Sequence, residues 1–561
     1  MNGYTLPENQ SKKYEHLFTD IDTGRLKIPK FQREFVWTKE QASQLVDSML
    51  KGYPIGTFVL WKTHEELRHF KEIGNAALPE VPKGDAVTYV LDGQQRITSL
   101  FALKKGLVLS REGSSLDYKG ILVDLSVDPE TPQPLTATER QDGHTYVSVH
   151  DLLNQGIQFF VHNFSEEEVE RIDLYRNRLT GYDFSTILLS NYPIDIACDI
   201  FTRINTAGTE LTLFEIMVAK TYDDTRGFDL ALKWSTLLEG TEGGGKCLGD
   251  ASYDTVSSST VLQCMAAFLK GDVRRETILK LEKTKFIDSW ETVSQGLFGA
   301  VDYLRTKVGI PVSGLLPYNA MLVPLTYFFI KNGGKKPSHD QDTSLSQYFW
   351  WAGLTSRYAS ATETKIGLDL KRTDKVLGDE TPSYKGDEAR FAMEDLSLRW
   401  FSTSDGVCRS VLCLFAHLEP RSFDNDAKVN LDNSWLKATF SKNYHHFFPR
   451  SYLKKRGYPD ERANVIMNIT IVDDYLNKRT IRARAPSEYM KDFAKKNAKI
   501  EESMKSHLID DLNDFGVWTD DYDRFVDRRA QRVMDELTRR LNPEGARPAL
   551  RLQAEERGPI R

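Results

Sequence analysis

The sequence predicts an α+β protein of several domains. Residues 1–220 read as an α/β domain and 221–424 as a helical middle. Residues 425–500 read as a small strand–loop–strand–helix unit, and 501–561 as charged helix ending in a disordered Pro/Gly/Arg tail from Asn542. Three observations carry this division. The first 220 residues alternate short apolar runs with amphipathic stretches. From about 210 to 425 the apolar residues recur mostly at helical spacing. After 425 the composition turns basic and rich in His and Asn. At 561 residues the chain is also too long for one hydrophobic core.

In the first domain, IDTGRLKIPKFQREFVW gives a turn and an extended segment through Ile28-Pro29. A helix follows, capped by Thr38, with Leu45, Val46, Met49 and Leu50 on its apolar face. TFVLW reads as a strand. VTYVLDGQQRITSLFAL (Val87 to Leu103) is a strand that stops at Asp92-Gly93 and turns into a helix at Gln94 or Gln95. GILVDLSV (Gly120 to Val127) is a further strand. His64 and His69 flank a charged turn that reads as exposed, and His144, His150 and His162 lack metal-ligand spacing.

The middle region reads as successive helices, among them LTLFEIMVAKTYDD, SSTVLQCMAAFLKG, SLSQYFWWAGLTSRY and VCRSVLCLFAHL. The longest apolar run, Leu315 to Ile330, is too short to span a bilayer and contains two prolines, so it reads as a buried helix. Gly240 to Cys247, GTEGGGKC, nearly spells a phosphate loop. Cys247 stands where the magnesium-binding hydroxyl belongs, and an amphipathic helix precedes it instead of a buried strand, so a plain loop is the better reading.

Net charge is −6 and the pI about 6.1, which argues against a chain that coats nucleic acid along its whole length. The five cysteines form no CxxC pair and read as buried thiols in a reducing compartment. The N-terminus lacks the layout of a signal peptide, and no membrane segment is expected. A cytoplasmic protein is the expectation. The local exception to the acidic balance is Lys442 to Arg484, with ten Lys/Arg against four Asp/Glu, a net of +6. Phosphate contacts from such a surface supply sequence-independent affinity.

Within that basic stretch, Tyr444 to Phe448 reads as a short strand ending in two histidines and closed by Pro449. A second strand lies around Val465 to Val472, and Asp473 or Asp474 can cap a helix containing Asn477. Such a unit brings His445, His446, Asn468 and Asn477 together. It resembles the HNH (ββα-metal) nuclease motif in the HxxP form, His446-Phe447-Phe448-Pro449, of GmrSD-type restriction nucleases. The resemblance implies that His446 is the general base that activates water. It implies that His445 and Asn477 hold one divalent metal, Mg2+ or Mn2+, and that Asn468 orients the site. Arg450, Lys454, Lys455 and Arg479 are the expected DNA contacts. A neutral imidazole near pH 7 suits proton removal from water attacking phosphorus.

Three further segments, IPKFQREFVW, VLDGQQR and FTRINTAGTELTLFEI, occur in order over roughly residues 10 to 220. Together they resemble the N-terminal domain of the same GmrSD-type proteins, which implies a ParB/sulfiredoxin-like fold. Gly93-Gln94-Gln95-Arg96 matches the GxxR phosphate-binding pattern of such folds. A helix beginning there directs unpaired N–H groups outward, and Gly93 lets a phosphate come close. Arg96 adds a bidentate charge-assisted contact, Gln94 and Gln95 position polar groups, and Gln32 and Arg33 supply a second phosphate-facing pair. Asp92 is read as holding magnesium or a ribose hydroxyl. The competing reading is a plain strand–turn–helix corner with Arg96 in a surface ion pair.

The resemblance thus implies a modification-dependent DNA endonuclease of bacterial antiviral defence. Its sensor domain binds and hydrolyses a nucleoside triphosphate, and its substrate is modified phage DNA. A homodimer is compatible with this. The alternatives are a nonspecific DNA nickase acting as a toxin, and a nucleotide-dependent DNA-binding regulator with an inert C-terminal domain.

Overall fold

The computed structural model describes residues 6–542 apart from 33–34, 66, 68, 71, 74–75, 83, 112–113, 205–210, 242–243, 385–395, 434–443 and 473–480. The chain divides into two compact units, Met1–Leu230 and Ala231–Arg561.

The first unit is built on a five-stranded mixed sheet. Its strands are β1 (Glu8–Lys13), β2 (Leu26–Lys27), β3 (Phe58–Thr63), β4 (Val87–Asp92) and β5 (Asp183–Ser190), in the order β1-β5-β3-β4-β2. β1 and β5 pair antiparallel, as do β3 and β4, whereas β5 with β3 and β2 with β4 run parallel. Helices α1 (Tyr14–Asp22), α2 (Lys39–Leu50), α3 (Gln94–Lys105) and α4 (Glu166–Thr180) share its core, which includes Phe18, Leu50, Phe58, Val90, Ile97, Phe101, Tyr175 and Phe184. The Thr38 cap is present, as a capping box closed by Gln41. His69 is buried: its Nδ1 bonds Leu67 O, and its Nε2 meets Lys27 Nζ at 3.0 Å. His69 forms an antiparallel bridge with Pro29, two residues past β2, a long-range pairing that no local pattern announces.

The β3–β4 pairing contains a bulge. Val59 pairs with Asp92 but Leu60 pairs with Val90, so Leu91 is the extra residue. A bulge bends the strand and re-aims the residues beyond it, which here are Asp92 and Gly93.

The second unit holds the predicted helices of the middle region, the C-terminal strands and the last helices in one body. α5 (Lys283–Tyr303) packs closely on α6 (Leu322–Lys331). Gly296 permits the approach, since a Cβ there would sit 2.3 Å from Ile330 Cγ1. The apolar run ending at Ile330 is indeed buried; its regular helix begins only at Leu322. α7 (His339–Leu354), α8 (Gly406–His417), α9 (Pro486–Lys496) and α10 (Tyr522–Leu541) complete the frame around a two-stranded antiparallel pair, β6 (Tyr444–His446) and β7 (Ile469–Ile471). All five cysteines are free and buried. Cys247 is among them, in the loop that follows a helix over Leu230–Glu239, so the near-phosphate-loop has a helix before it. Among the described residues no helix is long and apolar enough to cross a membrane. The expected disordered tail lies almost wholly outside the described residues.

Candidate active site around His446 and the Gly93 corner

In the second unit, β6 and β7 align His446 with Ile469, His445 with Thr470 and Tyr444 with Ile471. Side chains alternate along a strand, so the two histidine rings leave β6 on opposite faces. His445 faces inward. It is 3% exposed, with its ring 6.4 Å from that of Tyr489 on α9. His446 is half-buried, and its Nε2 lies 2.8 Å from Asn464 Oδ1.

The Asn464 amide is oriented by a second bond, Nδ2 donating to Phe401 O at 3.3 Å. With Oδ1 as the acceptor, His446 Nε2 must carry the proton. The lone pair of the neutral ring is therefore on Nδ1. Burial pushes the His446 pKa down, opposed by the bond to Asn464 and reinforced by the charge of Arg450. The net effect favours the neutral ring.

Asn468 is fully buried and fixes the loop after His446. Its Oδ1 accepts from Phe448 N at 2.8 Å, while Nδ2 donates to Phe448 O at 3.0 Å and Ala463 O at 2.9 Å. Phe447 N adds a bond to Asn468 O at 2.8 Å. The two phenylalanines between His446 and Pro449 are core residues: Phe447 stacks on Phe525 with centroids 4.7 Å apart, and Phe448 meets Tyr522 edge-on at 5.2 Å. Burying them anchors the chain just past the histidine.

A further anchor comes from α10. Arg529 is fully buried and donates from one terminal nitrogen to Met467 O at 2.8 Å and Ile469 O at 2.6 Å, the carbonyls on either side of Asn468. Its Nε donates to His507 O at 3.1 Å, and the guanidinium lies 4.6 Å from the Phe415 ring centre. Burial lowers its pKa to about 9, which still leaves a cation at neutral pH.

Arg450 follows Pro449 and is held by Asp460 through two nitrogens, Nε at 3.0 Å and a terminal nitrogen at 2.6 Å. Lys454 and Lys455 are exposed. Asn477 and Arg479 lie outside the described residues. Among the described residues no group of three or more His, Cys, Asp or Glu is arranged to hold a metal ion, so the described donors alone do not make a metal site.

In the first unit, the corner between β4 and α3 gathers neighbouring segments. Gly93 adopts φ +97°, the left-handed region, as the residue before the helix. The face that lacks a side chain is covered by protein: a Cβ there would sit 2.2 Å from Phe58 Cδ1. Arg96 donates to Ile55 O at 2.7 Å, to Thr57 O at 3.1 Å and to Asp92 Oδ2 at 3.0 Å. Gly56, at φ +87°, makes room for it, since a Cβ would come within 2.5 Å of the guanidinium. Burial pulls the Arg96 pKa down and Asp92 opposes that.

The glutamines are buried as well. Gln95 Oε1 accepts from Val36 N at 2.9 Å and Trp37 N at 3.3 Å, and Gln32 Nε2 donates to Val90 O. Gln94 is buried beside them, and Arg33 lies outside the described residues. The residues of VLDGQQR thus tie Gln32, Val36 and Trp37, and the carbonyls of Ile55 and Thr57, to one corner. The backbone N–H groups of the first turn of α3 remain, as at any helix start, without intrahelical acceptors.

Sequence reasoning missed Asn464, Arg529, Gly56 and Phe58. Arg529 had a signal: Tyr522, Phe525, Val526, Arg529, Val533 and Leu537 share one helical face, so a charge falls on a buried stripe. Asn464, 18 positions from His446, had none.

Residues 14–222 match the family model described as GmrSD restriction endonuclease, N-terminal domain. The chain is also 24% identical to an uncharacterized protein of Methanocaldococcus jannaschii, MJ0686, over 92% of this chain and 96% of that protein.

Proposed function

We propose, from the premise that residues 14–222 form a GmrSD-type N-terminal domain, that the chain is a DNA endonuclease that restricts modified phage DNA. The catalytic centre in this reading is the β6–loop–β7 unit. The observation that carries it is the His446–Asn464 bond, which places the proton on Nε2 and leaves Nδ1 as the basic nitrogen of the neutral ring. In the reaction, Nδ1 takes a proton from the water that attacks phosphorus, and the imidazolium so formed keeps its Nε2–H on Asn464. Asn468 and Arg529 hold the loop that carries the ring, and Lys454 and Lys455 face the DNA backbone. Arg450 joins them when a phosphate replaces Asp460 as its partner.

A divalent ion, Mg2+ or Mn2+, belongs to the same proposal on the strength of the resemblance alone, which assigns it to His445 and Asn477. The inward-facing ring of His445, on the face of β6 opposite His446, does not support its part in that assignment. The chemistry of the ion would be to stabilise the departing 3′ oxygen. The N-terminal domain in this reading binds and hydrolyses a nucleoside triphosphate and senses the modification. The N-terminal end of the α3 dipole and the positive charge of Arg96 nearby support an anion at the Gly93 corner. The internal bonds of Gln32, Gln95 and Arg96 support a second role, in which the corner transmits occupancy to the 32–37 and 55–57 segments.

Cleavage of plain DNA and of phage DNA carrying hydroxymethylated or glucosylated cytosine, with and without ATP or GTP, tests this reading. Modified DNA cut in a nucleotide-dependent manner is the expected result. Equal cutting of both substrates, indifferent to nucleotide, would leave only a nonspecific nickase.

A further inference from the structure

The segment after residue 395 borders the His446 site and presents two large apolar side chains to solvent. Leu398 is 60% exposed and Trp400 is 46% exposed. Tryptophan carries a large apolar surface and is usually well buried. Nearly half of this one faces water, yet the backbone beneath it is tightly held. Trp400 forms an antiparallel bridge with Val465, Ile466 N donates to Arg399 O at 2.9 Å, and Phe401 N donates to Asn464 O at 2.8 Å. Arg399 is tied to Asp405 at 2.8 Å, and the Phe401 ring packs on Tyr444 of β6 with centroids 5.0 Å apart. The link to the histidine is short: Phe401 O accepts from Asn464, and Asn464 accepts from His446. A segment held by backbone bonds on both sides of Trp400 thus carries an exposed indole beside a site set in a stretch of net charge +6.

We propose that Trp400, flanked by Leu398, is a nucleobase platform: a base of the strand being cut stacks on the indole while the neighbouring phosphodiester lies at His446. This rests on the nuclease reading above. The chemistry favours a base over other apolar partners. Every base offers a π-face, stacking on an aromatic ring is sequence-tolerant, and the surrounding cations bind the backbone that delivers it. Because the backbone that carries the ring is already held, its ordering is not a cost of binding.

The test uses the full-length chain carrying His446→Ala, which binds without cutting, and a short duplex that the wild type cleaves. Adding Trp400→Ala should weaken binding by about ten-fold or more. Trp400→Phe should restore most of the affinity, and Leu232→Ala, at another exposed apolar position, should change nothing. Replacing the thymines of the duplex by 5-iodouracil and irradiating the complex should give a crosslink on Trp400. That readout keeps the native indole and does not depend on a variant folding. Unchanged affinity in Trp400→Ala, or crosslinks that leave out Trp400, overturns the platform. Failure of the nuclease reading looks different: the wild type leaves every duplex intact, and the platform falls with it.

Discussion

At the residue scale, the proposed chemistry depends on which nitrogen of His446 holds the proton. Asn464 fixes Nε2–H, and burial keeps the ring neutral. A base with a depressed pKa stays active until the pH falls through that lowered value. The acid limb of kcat/KM for DNA cleavage is therefore expected below the ordinary histidine value of about 6.5. Asn464→Asp puts a carboxylate on Nε2–H and favours the imidazolium, so the limb should move to higher pH. An identical limb in both proteins would remove Asn464 from the mechanism. Gly93 makes a second residue-scale prediction. Gly93→Ala combines a left-handed φ with a clash against Phe58, and should destabilise the first unit by about 2 kcal/mol or more, read by denaturant unfolding. Phe58→Ala in the same chain should relieve only the clash. The Thr38 cap and the Asp92-Gly93 corner were legible in the sequence because their chemistry is local. Asn464 was not, because its partner is chosen by the fold.

At the element scale, β6 and β7 are only three residues each, too short to be stable as an isolated pair. Their position depends on α10, which covers Phe447 and Phe448 and sends Arg529 to the carbonyls around Asn468. Arg529→Met keeps the apolar stem but leaves buried carbonyls without a donor. It should cost about 2–4 kcal/mol in unfolding free energy and lower the cleavage rate, because the His446 loop loses its anchor. Normal stability with full activity would mean that the carbonyls find other partners. The two strands were legible from Tyr444-His-His and the Ile469–Ile471 run, although the second is shorter than the pattern suggested. What the sequence could not give is the assignment of anchors. Gln95 and Arg96 read as ligand-facing because polar residues at a turn look exposed. Long-range carbonyls and N–H groups from 36–37 and 55–57 turned them inward.

At the scale of the whole molecule, the broad order of sheet unit and helices was legible from the switch in apolar periodicity. The packing of residues after 230 into one body was not, since composition changes along a chain do not report which elements share a core. The function assigned to the second unit requires that a single imidazole limits DNA hydrolysis. Supercoiled DNA of a modified phage, incubated with Mg2+ and nucleotide, should be nicked or linearised by the full-length wild type. His446→Ala, equally folded by its unfolding curve, should be slower by about a hundred-fold or more. Equal cleavage by the two proteins would contradict the account.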